Sequence, residues 1–277
     1  MPGPLDAFAL LNTLVNGLLD TIGPLIVEKF LEAADILPQE LPRQAEFGPG
    51  DESQVITATR AAVMRAGVQT VLEHYLSGFA QALERFGTDP QFVLSGGDLD
   101  ALHSMVLNSA RTVTELGGRI EADVHRALAL AVRQPLTSIE LADQIRGALK
   151  AEGQYARTTI ETEAKAAQRM LALNAAQTNG WDRFFYAGPD DIFQRPFCRH
   201  MNLKAYTLAM LEACDNDTGM DVVVTLGGYN CRHGLLPGTE AMMLRTFPGR
   251  VVIEWEPEDI IVGKSGGIVV VKATVLM

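Results

Sequence analysis

Apolar positions in the first two thirds of the chain recur at helical spacing. Leu11, Leu14, Val15, Leu18, Leu19 and Ile22 fall on one stripe. Gly23-Pro24 predicts a break after it, because proline has no N–H to donate and its ring crowds the preceding turn. A second, short helix is expected over 25–37, and Pro38, Pro42, Gly48, Pro49 and Gly50 then read as a linker. The apolar arm could also dock on a neighbouring subunit. Residues 51–86 predict one long helix with Val55, Ala58, Thr59, Ala62, Val63, Ala66, Val71, Leu72 and Tyr75 on its inner face.

Residues 87–97 read as a loop. Asp98 is placed to cap a helix reaching about residue 133, its carboxylate accepting free N–H groups of the first turn. Gln134-Pro135 stops that helix. Thr137-Ser138-Ile139-Glu140 restarts one with a capping-box pattern. The periodicity loosens at Gly153, so a further helix is expected over 154–177. In it Arg157, Glu161 and Lys165 stand at i, i+4 spacing, the pattern of a charged, solvated face. His74, His103 and His125 read as ordinary polar helix residues.

The texture changes at Trp181. Glycines, prolines and aromatics become frequent, which predicts a compact, loop-rich module with one helix over about 208–214. Asp215-Asn216-Asp217-Thr218-Gly219 supplies turn chemistry. After Pro248 three β-type runs follow, over 251–256, 259–262 and 268–276, with a turn at 264–267. The predicted class is α+β. In chain order it comprises an apolar helical arm and linker (1–50), a helical region (51–180), a Cys/His module (181–249) and a β tail (250–277).

Composition narrows the function. The chain has 277 residues and a formal net charge of −11. Binding DNA phosphates without sequence preference needs clustered Lys and Arg, and no basic block occurs, so direct nucleic-acid binding is not expected. The apolar stretch from Leu5 to Leu31 is interrupted by Asp6, Asp20, Pro24, Glu28 and Lys29, so no membrane span is expected from an unbroken apolar run. No basic leader precedes it, and no secretory signal is expected. Three cysteines do not make a disulfide framework.

The chemistry concentrates in two segments that each contain Cys-Arg-His: Arg195-Pro196-Phe197-Cys198-Arg199-His200 and Gly227-Gly228-Tyr229-Asn230-Cys231-Arg232-His233. The two cysteines are 33 residues apart, as are the two histidines. Thiolate and imidazole are the preferred ligands of tetrahedral zinc. A thin-cored module gains folding free energy from such an ion, and Gly227-Gly228 lets the backbone turn tightly beside a ligand. Cys-x-His is tighter than the usual ligand spacing, so one histidine could point away, with Asp190, Asp191 or water in its place. Of the four, Cys198, Cys231 and His233 form the firmer set. Two other readings stay open. One is a Cys–His catalytic pair such as Cys198 with His233. The other takes the cysteines as small buried apolar groups and the histidines as hydrogen-bonded structural ones. Asp190-Asp191 with Arg195 reads as an ion pair and turn.

The string Gly188-Pro189-Asp190-Asp191, Arg195-Pro196-Phe197-Cys198, Lys204-Ala205-Tyr206-Thr207 and the closing Gly227-to-His233 segment resembles tailed-phage minor head, or head-morphogenesis, proteins related to the Mu F protein. Arg157, Glu161 and Asn174 resemble that family's helix signature. The resemblance covers roughly 140–237. Where the family usually has Pro-x-His-Pro before the closing cysteine, this chain has Gly227-Gly228-Tyr229-Asn230. The resemblance implies a structural virion protein without enzymatic activity. It would be a minor head or head–tail connection component present in several copies, contacting portal, major capsid or neck proteins. It would assist head assembly and DNA packaging or delivery. It also implies a module similar to a zinc-binding fold, with Asp191, Arg195, Gly227, Gly228 and Tyr229 as motif residues. The rival class is a metal-dependent or thiol enzyme, a nuclease or hydrolase acting in head maturation or DNA entry.

The run Gly267-Ile268-Val269-Val270-Val271 is apolar enough to need cover on both faces, which makes the tail a candidate for strand addition to a neighbouring protein. Removing residues 266–277 should therefore leave a soluble fold that no longer enters particles. An insoluble truncation would place the tail in the core instead.

Overall fold

The computed structural model describes residues 4–44, 46–87, 104, 107, 117–130, 136–216, 218–219, 221–228, 231–239 and 241–242, together with 253–254, 260–261, 270–271 and 274–275 of the tail. The expected cap at Asp98, His103, the motif residue Tyr229 and the turn at 264–267 lie outside the described residues. The class is α+β: long helices precede a small antiparallel sheet. The chain forms two compact units, one of residues 17–78 and 106–161, the other of 1–16, 79–105 and 162–277. They are interleaved along the sequence rather than consecutive.

In the helical unit, helix α1 (Pro4–Glu40) contributes its residues from Gly17 onward. The expected break at Gly23-Pro24 does not occur. Ile22, Ile26, Phe30 and Leu37 continue one buried stripe across it, while Asp20 and Pro24 are exposed. The carbonyl that Pro24 cannot satisfy thus belongs to the solvated face, and burial of the stripe outweighs the local cost of the proline. By length and composition Leu10–Glu40, with mean hydropathy 1.4, could cross a membrane; its stripe from Val15 to Leu37 is buried within the protein.

The single helix expected over 51–86 is two, α2 (Glu52–Arg65) and α3 (Val68–Gly87). Gly67 separates them at φ +86°, its N–H closing on Met64. This is the left-handed stop that glycine adopts without steric cost. Helix α4 (Gly117–Leu130) follows, then α5 (Ser138–Asn179). The capping box forms as the sequence predicts: Thr137 N donates to Glu140 Oε2 at 2.9 Å and Glu140 N donates to Thr137 Oγ1 at 3.3 Å. Just before it, Phe47 and Leu136 exchange backbone hydrogen bonds of 2.7 and 2.9 Å, tying the segment after α1 to the start of α5.

Helix α5 does not loosen at Gly153, because that glycine is a packing position. A Cβ there would meet Val27 Cα and Phe30 Cβ of α1, each at 3.0 Å. The Arg157–Glu161 pair, 2.7 Å long, likewise lies against the bare face of Gly23. Arg146 reaches Asp35 at 2.6 Å on the surface of the same unit.

The second unit is built on a three-stranded antiparallel sheet of order β2–β1–β3, with β1 Arg183–Ala187, β2 Lys204–Tyr206 and β3 Gly234–Gly238. Tyr186 pairs with Lys204 on one side and Leu235 on the other. Pro237 is tolerated because β3 is an edge strand. Phe184, Phe185 and Tyr186 are all buried, so the central strand is covered on both faces. One face carries Phe185 and Ala205 with Leu203 and Leu236. Short helices α6 (Pro196–Met201), α7 (Leu208–Glu212) and α8 (Val222–Thr225) fill the connections. The second half of α5 and the start of α1 also belong here, joined by Gln168 Nε2 donating to Asn12 Oδ1 at 2.8 Å. In the tail, β4 (Ile253–Glu254) pairs with β7 (Thr274–Val275), and β5 (Ile260–Ile261) with β6 (Val270–Val271).

Two helix glycines make opposite predictions. Gly147 is exposed with open space around its Cα, so Gly147→Ala should raise stability by about 0.5–1 kcal/mol. Gly153→Ala forces a methyl into α1 and should lower it by about 1–3 kcal/mol. Denaturant unfolding measures both, and equal stabilisation by the two would refute the close approach of α1 and α5.

Candidate metal centre

Three of the four sequence-predicted ligands meet. The ligand atoms of Cys198, Cys231 and His233 all lie within 4.8 Å of one another. Cys198 Sγ and Cys231 Sγ are 3.6 Å apart, and Cys231 Sγ is 3.7 Å from His233 Nδ1. A tetrahedron drawn with Zn–S of about 2.3 Å and Zn–N of about 2.05 Å has edges of about 3.8 and 3.6 Å. The spacing therefore fits a zinc-sized ion with little movement. All three side chains are buried, at 2%, 5% and 4% exposure.

His200 is not part of the cluster. It lies on α6 two residues after Cys198, and positions i and i+2 of a helix point to different faces. Its Nε2 is buried without a hydrogen-bond partner among the described residues. Burial, with Lys204 next, lowers its pKa. Asp191 is not a ligand either, and its ion-pair partner is Arg232 rather than Arg195. Arg232 Nη1 and Nη2 grip the two carboxylate oxygens, each at 2.7 Å, and hold the Asp191 carboxyl below its usual range. Arg195 instead donates to Gly227 O. Arg157 and Glu161 belong to the other compact unit, and Asn174 is half-buried on α5.

The glycines of the motif have a steric reason. A Cβ on Gly227 would collide with Cys198 Sγ and sit 3.3 Å from Cys231 Sγ. On Gly228, at φ +88°, it would lie 2.6 Å from Thr218 Cγ2 and 2.7 Å from Arg195 Nη1. On Gly188 it would overlap the His233 ring. The preceding Leu226 holds φ +53°, a conformation most side chains avoid. Asn216 maintains that elbow: its Nδ2 donates to Leu226 O at 2.6 Å while its Oδ1 accepts from Thr218 N at 3.0 Å.

Three contributors carried no recognisable signal in the sequence. Arg169 of α5, 2% exposed, donates to Val224 O, Cys231 O and His233 O at 3.0, 2.8 and 2.9 Å. Burial pulls its pKa below the usual value, opposed by Cys231, Tyr186 and Cys198, the acidic groups around it. Tyr186 of β1 directs its Oη to Cys198 Sγ at 3.3 Å, with Cys231 Sγ at 3.9 Å. Burial pushes its phenol well above the ordinary range. Gln194 lies 3.0 Å from His233 Nε2, the nitrogen facing away from the sulfurs, and its Oε1 is buried without a partner among the described residues. Rotating the amide presents Oε1 to an Nε2–H, the support that an Nδ1-ligating imidazole needs.

The two sulfurs lie within hydrogen-bond distance of each other. Hydrogen bonding from Cys198 lowers the pKa of Cys231 against its burial, with His233 and Arg169 acting the same way. Cys198 is raised by the same hydrogen bond and by burial. One thiolate is thus favoured inside a closed protein interior, as a metal ligand requires.

Gly227→Ala should destabilise the fold by about 1–3 kcal/mol, because the added methyl collides with the buried side chain of Cys198 and crowds Cys231 Sγ. Thermal melting measures it, and an unchanged midpoint would show that the elbow yields freely.

No protein-family model, curated protein or solved structure matches this chain.

Proposed function

We propose that this chain is a structural virion protein of a tailed phage, a minor head or head–tail connection component, in which Cys198, Cys231 and His233 hold a structural zinc ion. The observation that carries the reading is the convergence of the resemblance motif on one buried knot. Cys198, Gly227, Gly228, Cys231 and His233 lie together, and Asp191, Arg195 and Arg232 clamp the flanking loops. The motif residues serve the shape of the module, as expected of an assembly part.

Burial argues against the rival enzyme class. A catalytic thiol or an open metal position must meet a substrate, and these buried side chains are packed against Tyr186, Gly227 and Gly188. An ion buried out of reach of a substrate is of the structural type, since a catalytic zinc keeps a vertex open to its substrate. The ion would add binding free energy to a module whose core is a three-stranded sheet and short helices. Portal, major capsid or neck proteins are the proposed partners, and the virion the proposed location. Ile192 and Phe193 stand exposed on the loop that Asp191 and Arg232 pin, where a rigid contact between subunits would use them.

Two measurements test the two halves. Elemental analysis of the freshly purified chain should find one zinc per molecule, and a strong chelator should lower the melting temperature. A folded, metal-free protein sinks the zinc assignment. Mass spectrometry of purified particles should find the chain as an integral component. Its absence from intact particles, while abundant in the lysate, sinks the virion assignment.

A further inference from the structure

The three ligands leave the fourth vertex of a tetrahedron unassigned by sequence, and Tyr186 Oη stands beside both sulfurs. With Zn–O of about 2.1 Å, the S–O edge of a zinc tetrahedron is about 3.6 Å. Tyr186 Oη stands 3.3 Å from Cys198 Sγ and 3.9 Å from Cys231 Sγ, on either side of that value. The Tyr186 and His233 rings pack against each other, tilted by 39° with centroids 5.2 Å apart. We propose that Tyr186 is the fourth zinc ligand, making a closed Cys198–Cys231–His233–Tyr186 site; the inference rests on the zinc assignment above.

A second, independent observation concerns charge. Arg169 is completely enclosed, its hydrogen bonds go to three carbonyls, and no carboxylate among the described residues pairs with it. A buried unpaired cation is costly. Zinc with two thiolates and a neutral imidazole carries no net charge, which leaves the guanidinium uncompensated. A phenolate on the ion gives the cluster one negative charge, and Arg169 then completes a neutral assembly. Tyrosine is suited to the place by position as well: it sits on the central strand β1, held in register by β2 and β3, with Phe197 packed edge-on at 6.4 Å. The phenol loses its proton to solvent as the ion enters, because metal coordination stabilises the anionic form of a ligand.

Tyr186→Phe removes only the oxygen and keeps the ring packing. Zinc should bind wild type with one more proton released than in the variant, measured calorimetrically in buffers of different ionisation enthalpy. A tyrosinate band should grow in the ultraviolet difference spectrum of wild type alone. Chelator competition should show the variant's zinc affinity lowered by roughly 10–100-fold or more. Cobalt substitution should give tetrahedral ligand-field bands in wild type that change form in the variant. Zinc bound equally tightly by both proteins, with no tyrosinate band, overturns Tyr186 as ligand and leaves the three-residue site standing. No zinc in folded wild type overturns the zinc assignment itself. If Tyr186→Phe does not fold, the tyrosinate band and proton count of wild type decide the question alone.

Discussion

The guanidinium of Arg169 is the interaction on which the module depends. A helix can present an arginine to a neighbouring loop only if that loop offers carbonyls in the right places, and here three of them converge from Val224, Cys231 and His233. Those carbonyls belong to the segment that carries two of the clustered ligand atoms. The long helix α5 therefore sets the position of the Cys-Arg-His loop directly, by hydrogen bonds to charged donors, which are the stronger kind. The elbow at Leu226 to Gly228 then follows, because the chain must leave α8, pass the sulfurs without a Cβ and still deliver its carbonyls to α5. The strained φ of Leu226 is the local cost of meeting all three requirements, offset by Asn216 and by burial.

Two kinds of polar group surround the cluster, and they act at different distances from it. Asp191 with Arg232 and Arg195 with Gly227 O lie at or near the surface and fix loops. Arg169, Tyr186 and Gln194 are interior and act on the ligands themselves or on their backbone. Water and salt weaken surface pairs, so the outer clamp alone would be a weak organiser. The interior set cannot be exchanged with solvent and cannot be left half satisfied without large cost. Specificity of shape in the module comes from the inner groups, and the outer ones limit loop excursions.

Much of the helical architecture was legible from periodicity, capping and spacing. The Thr137–Glu140 box is local chemistry and formed as written. The failures share one cause. Gly23-Pro24 and Gly153 look like breakers in isolation, but each is a place where another helix or side chain needs the missing bulk or where the loss of a hydrogen bond falls on the wet face. Gly67, inside an apolar stripe that continued on both sides, did terminate a helix, and its signal was the left-handed stop rather than any change in hydrophobicity. Glycine in a helical pattern is therefore ambiguous until its neighbours in space are known, since the same absent Cβ serves a stop and a close approach.

The candidate site was legible in its ligand types and only partly in its membership. Repetition of Cys-Arg-His suggested a symmetric clamp, yet a short helix cannot aim residues i and i+2 at one point, so Cys198 and His200 were never equivalent to Cys231 and His233. The latter pair lies in irregular backbone, where alternate residues of an extended segment can both reach inward from a bend. His200 is thus displaced by helix geometry alone. The residues that complete the knot, Arg169, Tyr186 and Gln194, come from a helix, a strand and a loop at no shared spacing from the cysteines. Their chemistry is ordinary in the sequence, where an Arg in a long helix reads as a surface cation. Only its burial beneath three carbonyls, beside two sulfurs and a phenol, makes it the interior tie between α5 and the Cys-Arg-His loop.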